Sequence, residues 1–282
     1  MSCTSFKPFT LVLQLSVLTL LLLGQAPFVS ADLILSAPPR EKADAGQKLY
    51  GPLAARLSEL LGEKVTYERP KSWLAYQHDM RKDKYDIVFD GPHFISWRIK
   101  NRSHVPVVRL PGSLQFVVVG KKDDDTVKSL KDLVGRKICG IPPPNLGTLT
   151  VYAAYTHPAR QPVIAPIRGG FPKVMKSFED GKCEAAVFRT KFYEKKLTDE
   201  QRSKTKILYT SPELPNQGIS FSSRVKPSAR KIVATALTKG DHIPATKNIL
   251  IRFGGKAKAF VPTSEKDYAV HYKLIEGVIF GW

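Results

Sequence analysis

Cysteine is scarce, with three residues in a chain of 282, and no two stand as C-x-x-C. That spacing would be needed for a thiolate zinc site or a dithiol redox site. Also missing are the nucleophile elbow G-x-S-x-G, the metalloprotease H-E-x-x-H, the phosphate-binding P-loop and the dinucleotide glycine fingerprint. The six histidines, His78, His93, His104, His157, His242 and His271, stand at no metal-ligand spacing from one another. The chain is therefore expected to need no cofactor and no metal, and to catalyse nothing. Acidic residues are few as well. Asp and Glu number 25 against 44 Lys and Arg, for a formal net charge of +19. The basic residues are scattered, with no Arg-rich block and no basic run interleaved with aromatics, so nucleic acid is not an expected partner. Anionic lipid or anionic solutes suit the charge better, although single lysines on such a surface serve mainly solubility.

Long apolar runs are confined to the first residues. Lys7 precedes an apolar run from Phe9 to Leu23, and Val29-Ser30-Ala31 follows Pro27. The run is shorter than the roughly 20 residues of a membrane-spanning helix. It reads as a secretory signal peptide over residues 1–31, cut after Ala31. Cys3 precedes the run and cannot be a lipidated cysteine at the cut. The remainder, Asp32 to Trp282, contains no membrane span and is expected in the periplasm as a soluble monomer. It has about 250 residues, enough for one large domain or two ordinary ones. Its two cysteines, Cys139 and Cys183, permit one disulfide in an oxidising compartment.

What is present is a unit of strand, helix, strand, helix, strand, written twice. The first copy has a strand at Leu33-Ile34-Leu35 and an amphipathic helix from Gln47 to Leu61 stopped by Gly62. A strand at Lys64 to Glu68, a helix capped by Ser72 and a strand at Tyr85 to Phe89 complete it. A capped helix over Thr126 to Val134 leads to the second copy. That copy has strands at Lys137 to Ile141, Val163 to Ile167 and Glu184 to Phe188, with helices at Gly147 to Thr156 and Phe171 to Glu179. Short alternating connections imply open parallel sheets with helices on both faces. The expected fold is thus α/β, with two doubly wound lobes. Leu114 to Gly120 and Gly218 to Arg224 read as β-rich links, a two-strand hinge. The expected lobes are residues 32–113 plus 221–282, and residues 114–220. Helices at Ser228 to Leu237, Ala245 to Arg252 and Glu265 to Ile275 pack back on them, and Thr198-x-x-Gln201 caps a short helix.

Ligands of open α/β sheets bind beyond the carboxyl ends of the strands, so the turns there hold the candidate site. In the first lobe these turns offer Arg40, for a negative group, with Asp90 and His93. Tyr50, Trp73 and Tyr76 lie near helix starts, where they wall a pocket or simply pack in the core. In the second lobe, Pro144-Asn145-Leu146-Gly147-Thr148 leads into a helix. Its free N–H groups, with Asn145, Gly147 and Thr148, would cradle an anion, unless Asn145 is an ordinary N-cap. Arg189 reaches toward the cleft, and Pro215-Asn216-Gln217-Gly218 supplies amide groups, Asn216 foremost. Cys139 and Cys183 fall on strands that are commonly neighbours, but toward opposite ends of them. A bridge requires their Cα atoms within about 7 Å. Cys139 with His157 is the sole pair that would support an enzymatic reading.

The runs Leu33 to Pro39, Leu49-Tyr50-x-Pro52-Leu53, Leu57 to Gly62, Tyr85-Asp86-Ile87-Val88 and Gly91-Pro92-x-Phe94 resemble the phosphate/phosphite/phosphonate class of periplasmic binding proteins. So do Leu130-x-x-Leu133-x-Gly135 and Gly181 to Val187. These are type II, transferrin-like proteins that serve ABC transporters. The resemblance implies capture of a small anion and hand-over to a membrane permease, or, alternatively, presentation to a membrane sensor. It also implies pocket roles for Tyr76, Asp90 and Thr148. Relatives hold the oxyanion on a Ser/Thr-rich turn. Here Thr148 is the sole hydroxyl of that turn, which leaves backbone N–H groups to meet the anion.

Overall fold

The computed structural model describes residues 1–2, 32–240 and 243–278. Residues 3–31, which hold the expected leader run, and His242 lie outside the described residues. The first sheet is built from β1 (Leu33–Ser36), β2 (Val65–Glu68), β3 (Ile87–Asp90), β4 (Val105–Arg109), β12 (Gly218–Phe221) and β13 (Val261–Pro262), in the order β13-β4-β12-β3-β1-β2. Strands β1, β2 and β3 run parallel, and β12 is antiparallel to both β3 and β4. The second sheet has β6 (Phe116–Lys121), β7 (Lys137–Gly140), β8 (Val163–Pro166), β9 (Ala185–Arg189) and β10 (Thr205–Thr210), ordered β10-β6-β9-β7-β8. Here β7, β8 and β9 are parallel, and β6 is antiparallel to β9 and β10.

Helices cover both faces, as the strand patterns require. In β3 the alternation puts Ile87 and Phe89 in one core cluster and Val88 in another. The first cluster takes Leu49, Leu53 and Leu57 from α1 (Ala43–Leu61); the second takes Tyr76 and Met80 from α2 (Trp73–Arg81) and Phe94 from α3 (Pro92–Arg102). Gly62 ends α1 in the left-handed region, φ 66°, where a side chain would be strained. The second sheet repeats the scheme. Phe116 and Val118 face α4 (Leu146–Ala153), whereas Val117, Val119, Cys139 and Phe188 face α5 (Phe171–Glu179). Smaller helices α6 (Thr190–Lys196) and α7 (Asp199–Ser203) follow β9, and Thr198 forms the capping box of α7 with Gln201.

The chain leaves the carboxyl end of β4 and enters the start of β6 through β5 (Ser113–Leu114). It returns from the end of β10 to the start of β12 through β11 (Leu214–Pro215). Strands β5 and β11 pair antiparallel. Given the strand directions, both crossings join the carboxyl edge of one parallel set to that of the other. The links are shorter than the sequence suggests. Phe116–Lys121 is a full strand of the second sheet, and Gly218–Phe221 pairs wholly with the first, so the expected division at 220/221 falls too late. Gly218 lies where a Cβ would stand 2.6 Å from the Val108 carbonyl oxygen, so the return strand closes on β4 only without a side chain.

Three expected helices differ. Over Thr126–Val134 a single 3-10 turn forms, Leu130–Leu133, because Asp124 and Asp132 side chains take the N–H groups of Thr126, Lys128 and Ser129, a local alternative to helix. Near the C-terminus α8 (Pro227–Lys239) and α9 (Ile243–Ile249) form, α9 running into a π turn at Leu250–Gly254. Glu265–Ile275 breaks into two 3-10 turns, Glu265–Tyr268 and His271–Leu274. There Tyr268 Oη donates to the Asn216 carbonyl, and the Tyr272 N–H donates to Ser96 Oγ. No helix among the described residues is long and apolar enough to cross a membrane.

Candidate functional site

Seven of the eleven residues read as ligand contacts are committed within the protein, Gly147 through its N–H. Asp90 ends β3 with no exposure at all. Its Oδ1 accepts from Tyr76 Oη at 2.5 Å and its Oδ2 from Arg98 Nε at 3.1 Å, while Arg98 Nη2 donates to Tyr76 Oη at 3.2 Å. Burial, and after it the Asp90 charge, hold the Tyr76 hydroxyl well above its ordinary pKa. Buried charges need pairing, and Asp90 and Tyr76 form a structural triad with Arg98, whose Nη1 alone is left without a partner. The sequence reading did not include Arg98; its place one turn into α3 was the available signal. Trp73 packs beside Tyr76 and Phe94, with centroids 6.4 Å away in each case, as core. Thr148 Oγ1 donates to the Ile141 carbonyl at 2.6 Å, so the sole hydroxyl of that turn is taken. Asn145 is the N-cap of α4: its Oδ1 accepts from the Gly147 N–H at 3.0 Å, which removes that donor from the cradle. Asn216 ties the crossings together, with Nδ2 donating to the Pro111 carbonyl and Oδ1 accepting from the Gln217 N–H.

The remaining candidates behave oppositely. Arg40 Nη1, Tyr50 Oη, His93 Nδ1 and Arg189 Nε are buried side-chain atoms with no hydrogen-bond partner. Thr190 Oγ1, Gln217 Oε1 and Arg109 Nε share that condition. All seven belong to residues on, or one helical turn or two beyond, the carboxyl edges and the crossings that join them. Arg98 Nη1 is a further such atom at the same edge, on a guanidinium whose other nitrogens bond Asp90 and Tyr76; those on Arg56, Ser222 and Arg230, among the described residues, lie elsewhere. Orphaned buried polar atoms are uncommon in proteins and call for a partner. Thr190 and Gln217 adjoin residues singled out from the sequence. A turn was legible there, but not which member would be left unpaired.

Several observations bring these groups together. A Cβ on Gly91 would stand 3.1 Å from His93 Nδ1 and 3.8 Å from Arg40 Nη2. The Arg40 charge acts on both Tyr50 and His93. His93 Nε2 lies 3.2 Å from the Pro144 carbonyl oxygen, a bond from the first sheet's edge to the second's. Leu149 of α4 joins the cluster of Tyr76, Phe94 and Ile275, so the two edges touch. Lys191 Nζ comes within 3.8 Å of a Cβ position on Gly112, in the hinge.

The electrostatics are one-sided. Burial, reinforced by Arg40, lowers the His93 pKa to about 3, so the ring is neutral. Burial lowers the Arg189 pKa and raises that of the Tyr50 hydroxyl. The acids on the turns after β1 and β3 are occupied, Glu41 by Arg252 at 3.1 Å and Asp90 by Arg98. Arg40, Arg109 and Arg189 thus face no free carboxylate from those turns. Cys139 and Cys183 are bonded, with Cα atoms 5.6 Å apart. Cys183 sits in the loop before β9, on the α5 side of the sheet with Cys139, which closes the gap that their strand positions suggested. Cys139 therefore offers no thiol to His157. No group of His, Cys, Asp and Glu among the described residues could hold a metal ion. A recess of about 750 Å³ lies at the opposite edge of the second sheet, among Lys121, Lys122, Met175, Phe178 and Lys204. None of the unpartnered atoms belongs to it.

The family model described as "ABC transporter, phosphonate, periplasmic substrate-binding protein" matches residues 35–268. No curated protein matches the chain. Among solved structures, XAC2383 from Xanthomonas citri bound to ATP has a TM-score of 0.68 at 11% identity, covering 88% of this chain and 97% of that one. PhnD1 from Prochlorococcus marinus in complex with methylphosphonate has a TM-score of 0.62 at 18% identity, covering 87% and 97%. A binding protein component of an ABC phosphonate transporter from Pseudomonas aeruginosa has a TM-score of 0.59 at 13% identity, covering 86% and 84%. At these identities the likeness is one of fold, that of type II periplasmic binding proteins.

Proposed function

Because the chain belongs to the periplasmic phosphonate substrate-binding family of ABC transporters, we propose that its two halves close on a small anion between Arg40, Tyr50 and His93 on one side and Arg189 and Thr190 on the other. The family works outside the cytoplasm, and residues 1–31 would direct export to the periplasm. The observation that carries the reading is the set of buried, unpartnered side-chain atoms at the carboxyl edges of both sheets, with the Arg40, Arg109 and Arg189 guanidiniums among them. A buried guanidinium donor without an acceptor is costly, and an anion relieves that cost in both halves at once. Contacts to both halves exist only when the cleft is shut, so ligand shifts the balance to the closed form by its differential affinity. The closed monomer would then hand the anion to a permease, with no chemistry in between.

The committed hydroxyl of Thr148 means that guanidinium groups and backbone N–H groups, not a row of hydroxyls, hold the oxyanion here. Methylphosphonate and ATP, the ligands of the two solved relatives, are the first probes, followed by phosphate, phosphite and small carboxylates. In a thermal-shift series an anion at 100 times its Kd adds about 2.7 kcal/mol of stability. Arg40→Met and Arg189→Met should each weaken binding roughly ten- to a hundredfold. Stabilisation by cations or neutral solutes but by no anion overturns the proposal.

A further inference from the structure

His93 carries an asymmetry that narrows the ligand. Its Nε2 meets the Pro144 carbonyl oxygen at 3.2 Å, an atom that only accepts, so Nε2 bears the proton. With the ring neutral, Nδ1 keeps its lone pair and is an acceptor. Burial, then the Arg40 charge, with His271 as the other titratable neighbour, disfavours a second proton. Phe94 lies against the ring, with centroids 4.0 Å apart, and donates nothing. Nδ1 is nonetheless buried and unpartnered, and so is the donor Arg40 Nη1 nearby.

We infer that His93 is a specificity-determining residue: the cleft selects anions whose charged group carries an O–H or N–H, because such a group accepts from Arg40 while donating to His93 Nδ1. An oxygen without hydrogen satisfies Arg40 and leaves Nδ1 bare. The inference rests on the reading of this cleft as the anion site. Methylphosphonate and methanesulfonate make a matched pair. At about pH 5, below the second ionisation of a phosphoryl group near 6, both are monoanions of similar size, and only the phosphonate has a hydroxyl.

The test is calorimetric titration of both probes at about pH 5 into the protein and into His93→Phe and His93→Gln. The wild type should favour methylphosphonate roughly tenfold or more. His93→Phe, which has no acceptor, should bring the two probes to parity. His93→Gln, whose amide can donate to Pro144 and accept from the ligand, should restore the preference. The nitrogen-15 shifts of the wild-type ring need no variant. Nδ1 should be unprotonated in the free protein and move toward the hydrogen-bonded range with methylphosphonate alone. Equal affinities in the wild type, or an Nδ1 signal that both probes shift alike, overturn the inference and leave the cleft reading standing. Binding of neither probe, or binding indifferent to Arg40→Met and Arg189→Met, overturns the cleft reading and the role of His93 with it.

Discussion

Asp90 and Arg189 occupy the same place in the two halves, the last residue of the third parallel strand. Asp90 is wholly buried and bonded within its own half by Arg98 and Tyr76. Arg189 is partly buried and its Nε has no partner. One repeat has turned the position into a structural anchor, and the other has left it unsatisfied. A charge at a strand end is therefore not a ligand group by position. It becomes one when the fold withholds the partner that its burial demands.

The sharpest way to break this comparison is to exchange the two fates. Asp90→Ala leaves Arg98 buried without its carboxylate and should cost about 3–5 kcal/mol, read as a drop in the urea midpoint. Arg189→Met in the free protein should cost nothing or stabilise slightly, since it removes an unpaired buried donor. If Arg189→Met destabilises as strongly as Asp90→Ala, both are anchors and the distinction fails.

The halves also differ in how the third strand is held, by ions in the first and by the Cys139–Cys183 bond in the second. The bond spans 44 residues of sequence, for which the chain-entropy account gives about 4 kcal/mol. Cys139→Ser with Cys183→Ser should lower stability by about 2–4 kcal/mol and should loosen the second half first, read by amide hydrogen exchange.

Acid should act on the other side. The His93 pKa is lowered to about 3 and that of His104 is lowered by burial, so His93 is neutral in the fold and both bind a proton less readily there than in the unfolded chain. The unfolded state then binds more protons, and stability falls as pH drops from 6.5 toward 3. Asp83, paired with His104 and Arg224, has a lowered pKa, and its contribution is lost below the same range. All these groups lie in the first half. Denaturation curves across this range, followed by fluorescence, report that half, because Trp73 and Trp97 belong to it and residues 114–217 have no Trp. His93→Gln should flatten the dependence.

Both doubly wound halves were legible because the strand and helix periods repeat with little interruption, and Ser72, Thr198 and Gly62 cap as their types predict. The turns that carry the site were equally legible. Which residues in them face a ligand was not, because a side chain's availability depends on bonds to residues far along the chain. Tyr76 reaches Asp90 across 14 residues, and Asn216 reaches Pro111 across 105. The sequence shows polar groups at strand ends; only the fold shows which have already been answered.

Asn145 gives the smallest test and still divides the two fates. As the N-cap of α4 it satisfies the Gly147 N–H, and Asn145→Ala should cost about 1 kcal/mol of stability. A residue that only caps should leave anion affinity, corrected for that loss, close to the wild-type value, whereas Arg189→Met should lower affinity and leave stability intact. A loss of affinity in Asn145→Ala as large as that in Arg189→Met would move the oxyanion from the arginines to the start of α4.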